Sequence, residues 1–283
     1  MYKGQYKFKI FSRSPNAATD DTHYYQWDLN EMTIDHNGLD TDYLLNLNGA
    51  GIADKRWTSA RKQVLIDSRV NSNKLLLKGI KEAEIKIRAF TCASAIGYYG
   101  NRGEEILNEE SSSGDGFLSK CSRLWEQSAG SLDSSVQKSS IVRIGLVLSS
   151  TGGALPKMLL TNKLGVLSYF GNGNQYYSWI HIDDLCRILV ESLINGDYDG
   201  VINGVSPHPE SNKDLMTKIK SELGLHSLIV PAPAFGLRMV LGEMANVVLD
   251  STRVIPKYLL DKGFKFSFDD PGKAVEDLLS KGI

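Results

Sequence analysis

Residues Tyr6 to Phe11 (YKFKIF) alternate polar and apolar positions until Ser12-Arg13-Ser14-Pro15 breaks the run, which predicts a short strand. His23 to Asp28 (HYYQWD) predicts a second, aromatic-rich strand. Tyr43 to Leu47 (YLLNL) predicts a third, closed by Asn48-Gly49-Ala50-Gly51. Thr58 can cap a long helix running to about Lys81, with Val64, Leu65, Val70, Leu76, Leu77 and Ile80 at mixed three- and four-residue spacing. Arg88 to Ser94 (RAFTCAS) reads as a buried strand, Phe117 to Ala129 as a helix and Ser140 to Leu148 (SIVRIGLVL) as another strand. Asp183 to Asn195 is helical by its Leu185, Ile188, Leu189, Leu193 pattern, and Val201 to Val205 returns to strand. Strands that alternate with helices, and buried strands written as continuous apolar runs, predict a doubly wound parallel α/β sheet.

From about Gly165 the pattern changes. LGVLSYFGNGNQYYSW is Gly- and aromatic-rich loop, followed by PAPAFG and two amphipathic segments. This predicts a parallel α/β domain over 1–164 and a smaller second lobe over 165–283, with 179–206 packing back onto the first domain. Composition narrows the class. Lys+Arg 32 against Asp+Glu 33 leaves a net charge of −1, so no bulk field recruits nucleic acid or anionic lipid. No apolar run approaches the roughly 18–20 residues of a membrane span, and the first twenty residues hold no apolar signal core. Cys92, Cys121 and Cys186 are odd in number and far apart, which argues against a disulfide framework or a zinc knuckle. A cytoplasmic, reducing location is the expectation.

Four segments could carry chemistry. Ser12-Arg13 ends the first predicted strand, where a doubly wound fold recognises the adenosine ribose. An arginine there accommodates a 2′-phosphate, and its plain alternative is a solvated side chain before a Pro turn. Leu47-Asn48-Gly49-Ala50-Gly51 follows a strand's carboxyl end, where glycine lets backbone approach a ligand, or simply forms a turn. Ser94, followed by Ala95-Ile96-Gly97-Tyr98-Tyr99-Gly100, offers a hydroxyl beside aromatic walls that can polarise a carbonyl or alcohol; otherwise it satisfies loop backbone. His181 in WIHIDDL could serve as an acid/base, but the favoured reading is a half-buried residue fixing its turn, with Asp183 or Asp184 capping the helix.

Together NLNGAGIADKRW (46–57), DSR (67–69), SAIGYYG (94–100), RIGLVLSSTGGALPKM (143–158), WIHIDDL (179–185), INGVSPHP (202–209) and GEMANVVLDSTRVIPKYLLDKGFKF (242–266) resemble the extended short-chain dehydrogenase/reductase superfamily. The likeness is closest to its atypical epimerase/dehydratase-like subgroup with a short C-terminal domain of uncertain function. The resemblance implies a Rossmann-like domain over 1–164, a smaller C-terminal substrate lobe over 165–283, and an NADP cofactor in preference to NAD. Ser12 and Arg13 would hold the 2′-phosphate, Leu47, Asn48 and Gly49 would pass under the cofactor, Arg69 would reach it, and Val147 would lie near the nicotinamide. Ser94 would occupy the catalytic serine position. It further implies a small-molecule substrate, with nucleotide sugars as one class, and a homodimer as one assembly.

Two departures bear on function. The superfamily's Tyr-x-x-x-Lys pair is not in its place on the 117–129 helix, where Gly116 stands four residues before Lys120. That leaves Lys120 without its phenol and Tyr98 or Tyr99 as substitutes from the loop. The Gly-rich phosphate loop and the first strand are also missing ahead of Tyr6, and Met1 to Gln5 reads as a helix tail. The expectation is therefore a sheet lacking its central first strand, and about 15–20 further residues upstream in the natural protein. The leading functional expectation is an NADP-dependent oxidoreductase or nucleotide-sugar epimerase-like enzyme. The competing one is a non-catalytic NADP- or partner-binding protein that keeps the fold.

Overall fold

The alternating run at the amino end forms β1 (Phe8–Ser12), which lies parallel to β2 (Thr22–Asp28) with Phe8 opposite Thr22 and Ser12 opposite Gln26. The computed structural model describes residue 2 and residues 4–130, 135–224 and 226–281. Met1 and Lys3, in the expected helix tail, lie outside the described residues. A short β3 (Thr33–Ile34) turns back antiparallel on β2.

β4 (Tyr43–Asn46) opens the second sheet, and α1 (Ser59–Glu82) follows, with Thr58 Oγ1 accepting the Arg61 N–H as cap. β5 (Ile87–Ala95) is buried along almost its whole length, as a strand covered on both faces must be. Next come β6 (Ile106–Leu107), α2 (Gly116–Ala129), β7 (Val136–Ile144) and β8 (Leu146–Leu148). The single strand expected over Ser140–Leu148 is thus two. Gly145 marks the break: a Cβ there would lie 2.4 Å from the Ser178 carbonyl. The chain can change partners at that close approach, so β7 stays between β5 and a later strand while β8 leaves the ladder.

The remainder holds α3 (Leu155–Met158), β9 (Val166–Phe170), β10 (Tyr176–Tyr177), β11 (Trp179–His181), α4 (Ile182–Ile194), β12 (Gly200–Gly204) and β13 (Glu210–Ser211). After them run α5 (Asn212–Glu222), β14 (Leu228–Ala232), α6 (Ala234–Leu241), α7 (Asn246–Leu249), β15 (Arg253–Val254), α8 (Lys257–Asp261) and α9 (Pro271–Ser280). β8 pairs with β11, β12 returns to pair with β7, and β9 pairs with β14.

The main parallel sheet has the order β12-β7-β5-β4, and β1-β2-β3 forms a separate sheet. β1 and β4 are each the outermost strand of their sheet, and no ladder joins them among the described residues. Side chains hold the two sheets instead. Leu75, Leu76 and Ile80 of α1 share one core with Trp27, Leu39, Leu44 and Phe90, and Phe11 packs against it. The fold is a Rossmann-like α/β architecture, and the carboxyl ends of β1, β2 and β4 open on one side of α1.

The capping of α4 differs from the expectation. His181 itself is the cap, its Nδ1 accepting the Asp183 N–H at 3.1 Å. Asp184 is fully buried and holds the Ser267 and Phe268 amides and Arg187.

Candidate functional site

A cavity of about 700 Å³ lies where a doubly wound fold binds its ligand, outside the strands' carboxyl ends. Ser12 and Arg13 come from the end of β1, Trp27 and Asp28 from the end of β2, and Asn48, Gly49 and Ala50 from the turn after β4. Val64, Asp67, Ser68 and Asn71 form its floor along one face of α1. The sequence reading missed this row, although its three- and four-residue spacing marks a single helix face. Of the expected cofactor residues, Ser12, Arg13, Asn48 and Gly49 line the cavity; Leu47, Arg69 and Val147 do not.

Local hydrogen bonds explain the division. Asn46, 2% exposed, donates to Ser72 Oγ and Asn73 Oδ1 and accepts the Asn48 N–H at 3.0 Å. Asn48 Nδ2 donates to the Ser68 carbonyl, and Ser68 Oγ accepts the Ala50 N–H. Arg69 lies under the turn: its Nη1 donates to the Ala50 and Leu65 carbonyls, and its guanidinium stacks on Trp125. Burial pulls its pKa below the ordinary arginine value. A Cβ at Gly49 would lie 3.0 Å from that guanidinium, so glycine lets turn and arginine pack together. Leu47 is exposed, and Val147 sits in β8, packed against the core beside α4. Ser12 Oγ closes its own turn through Ser14, while Arg13 is exposed at the cavity wall. Asp28 Oδ1 accepts the Asn30 and Glu31 amides, which ties that carboxylate to its turn.

A second cluster gathers at the ends of β5 and β7. Ser94 is 2% exposed, and its Oγ donates to Glu126 Oε1 at 2.7 Å. Glu126, on the inward face of α2, is clamped bidentately by Arg143 Nε and Nη2, each at 2.8 Å. Arg143 Nη1 donates to Tyr99 Oη, and that hydroxyl donates to Asn203 Oδ1. Burial works against the Arg143 charge, but hydrogen bonding to Glu126 and its charge prevail, and the guanidinium pKa ends raised. Burial pushes the Tyr99 phenol up to about 12 against the pull of Arg143. Tyr98 is half-buried, its ring stacked 3.4 Å from the Arg143 guanidinium carbon. Ser94 and Tyr98 are therefore brought together through Arg143, whereas Lys120 is exposed on the outer face of α2. Its neighbour Ser119 is the residue turned inward, donating to the Tyr98 and Gly114 carbonyls. The sequence reading missed Glu126, whose position with Ser119 and Ser122 on one face of α2 carries the signal. The chain's one Tyr-x-x-x-Lys spacing, Tyr258–Lys262, lies on α8, where the phenol donates to the Asp197 carbonyl and accepts the Asp199 N–H.

His181, Asp183 and Asp277 also cluster. His181 Nδ1 accepts a backbone N–H, so the neutral ring carries its proton on Nε2. Metal ligation through Nε2 would require an imidazolate. Lys281 Nζ bridges Asp183 and Asp277, at 2.8 and 2.7 Å. The group is a cap and clasp joining α9 to α4.

Human epimerase family protein SDR39U1 is 32% identical over 243 residues, covering 84% of this chain and 82% of that protein. The chain belongs to this epimerase family. A family model described as a domain of unknown function, DUF1731, matches residues 232–278, within the C-terminal portion. The crystal structure of human SDR39U1 (isoform 2) with NADPH superposes with a TM-score of 0.85 at 29% identity, covering 97% of this chain and 91% of that one. MoeE5 in complex with UDP-glucose and NAD shares the fold with a TM-score of 0.74 at 14% identity, covering 97% of this chain and 91% of that one. These likenesses, with the order of the parallel strands, make this an atypical member of the extended short-chain dehydrogenase/reductase superfamily.

Proposed function

We propose that this protein binds an NADP-type dinucleotide with its adenosine 2′-phosphate end in the cavity beside Arg13, and acts on a small-molecule substrate at the ends of β5 and β7. The observation that carries the reading is the cavity itself. It joins an exposed guanidinium, apolar surface from Val64 and Trp27, and the Asn48–Ala50 turn at the carboxyl ends of parallel strands. Arg13 stands where a ribose-binding carboxylate would favour NAD, and Asp28 is already engaged by its own turn. The SDR39U1 structure with NADPH supports the same choice of cofactor.

A bound dinucleotide of this class supplies a hydride donor or acceptor. The chain's part is to hold the reacting oxygen and move its proton. Tyr98 is the phenol available for this, with the Arg143 cation against its ring in place of the superfamily's lysine. Ser94 acts one step back, because its hydrogen is held by Glu126 and only its lone pairs remain free. In this reading the protein is an oxidoreductase or epimerase-like enzyme, with 165–283 as its substrate lobe and nucleotide sugars as one candidate class. A non-catalytic NADP-binding role is the second reading, favoured by the burial of Ser94.

The first experiment is a fluorescence titration with NADPH and NADH. Preference for NADPH that is lost in Arg13→Glu supports the cofactor site; equal affinity for both in the unmodified protein refutes it. Turnover over nucleotide sugars and small carbonyls then separates the two readings. Cofactor binding without any absorbance change across the panel leaves the binding protein.

A further inference from the structure

Among the described residues the other inward-turned arginines each have an acceptor, Arg61 through the Gly51 carbonyl although its Nε is likewise unmet. Arg143 commits its donors to Glu126 and Tyr99, Arg69 to two carbonyls, Arg187 to Asp184 and Ser267, and Arg102 to Glu105. Arg253, half-buried in β15, departs from that pattern. Its Nε is out of contact with water and meets no acceptor, and among the described residues no carboxylate, carbonyl or hydroxyl accepts from its Nη atoms. The guanidinium is nonetheless held in place, with its carbon 4.4 Å from the centre of the Tyr176 ring.

The backbone around it is equally fixed. Thr252 Oγ1 donates to the Gly100 carbonyl, Ser251 N–H to Asn101 Oδ1 and Ser251 Oγ to the Gly103 carbonyl. On the other side the Thr252 N–H donates to the Tyr176 carbonyl, and the Val254 N–H to Ser178 Oγ. Arg253 is thereby carried on a segment stitched to the turn that directly follows Tyr98 and Tyr99. A guanidinium fixed over an aromatic face with its four Nη N–H groups uncommitted is preorganised for a two-oxygen anion. Leaving a charged donor partly dehydrated and unpaired is unfavourable unless a ligand completes it.

We infer that Arg253, backed by Tyr176, clamps an oxyanion of the substrate, so that the small molecule taken up beside the Tyr98–Gly103 turn carries a phosphate or carboxylate group. This deepens the reading under Proposed function and rests on it for the identity of the neighbouring site.

The test uses the full chain saturated with NADPH, so that the dinucleotide's own phosphate contacts are filled. Pyrophosphate and malonate are titrated calorimetrically against the unmodified protein, Arg253→Met and Arg253→Lys. Arg253→Met keeps an unbranched stem over Tyr176 and removes every donor. Saturable binding of at least one probe is expected, weakened tenfold or more in Arg253→Met and less in Arg253→Lys, with NADPH affinity within twofold in all three. The probe that binds decides between phosphate and carboxylate. Equal affinities in the unmodified protein and Arg253→Met, or no saturable binding of either probe, overturn the clamp. If NADPH itself fails to bind, the cofactor reading falls instead. The same titrations on an Arg13→Glu background then decide the clamp by the same tenfold criterion.

Discussion

Ser94 Oγ donates to Glu126 Oε1 at 2.7 Å, which turns the hydroxyl at the end of β5 into the protein and onto a carboxylate that Arg143 already holds. The side chains of Arg143 and Glu126 are only 4% and 10% exposed, so neither charge has water to fall back on. Glu126→Gln leaves the guanidinium buried without a counter-ion and is expected to cost about 3–5 kcal/mol. For a chain of this size that corresponds to a fall in Tm on the order of ten degrees. Ser94→Ala removes one donor and is expected to cost about 1 kcal/mol. Thermal unfolding of the two variants checks the order; equal losses would mean that the ion pair does not hold this end of the sheet.

Tyr98 and Ser94 can be separated by kinetics. If the phenol handles the proton of the reacting oxygen, Tyr98→Phe lowers kcat by about 10²–10⁴-fold, the range of general acid–base assistance. Ser94→Ala acts only through Glu126 and is expected to lower kcat far less, with KM little changed. A larger kcat loss in Ser94→Ala than in Tyr98→Phe would reverse the assignment.

The turn that lines the cavity depends on a residue that never reaches it. Asn46 satisfies Ser72, Asn73 and the Asn48 amide at once. Asn46→Leu leaves buried partners unpaired, at a cost of about 2–4 kcal/mol. It also frees the Asn48–Ala50 turn, so NADPH affinity is expected to fall several-fold while residual binding keeps its preference over NADH. Unchanged NADPH affinity in a folded Asn46→Leu protein would detach the network from the ligand site.

The parallel architecture was legible because its signals are local: Thr58 caps α1, β5 is a continuous apolar run, and Arg13 and Asn48 fall at strand ends. What sequence periodicity could not supply was direction. Ser94 and Ala95 are adjacent in β5, and only the packed α2 shows that Ser94 is the one facing Glu126. Arg69 looked free to reach a ligand, yet two carbonyls and Trp125 claim it from beneath. The break at Gly145 was hidden for a similar reason, because the Ser178 carbonyl that marks it comes from 33 residues further along the chain.

His181 gives the chain a pH dependence whose sign follows from its surroundings. Fully buried, it accepts the Asp183 N–H at Nδ1 and stacks on Phe268, with Asp277, Asp183, Asp184 and Lys281 as the charged groups around it. Burial lowers its pKa below the ordinary 6.5, although the Asp183, Asp277 and Asp184 carboxylates pull the other way. The folded chain then binds fewer protons at this site than the unfolded chain. Its contribution to stability is complete above the ordinary value and is lost as the pH falls below it toward the depressed folded value. Protonation at Nδ1 would also set two donors against each other and break the α4 cap. His181→Asn keeps a capping acceptor and removes the titration. Between pH 7 and 5 the Tm of the unmodified protein is therefore expected to fall more steeply than that of His181→Asn. Parallel curves for the two proteins would assign the acid sensitivity to other groups.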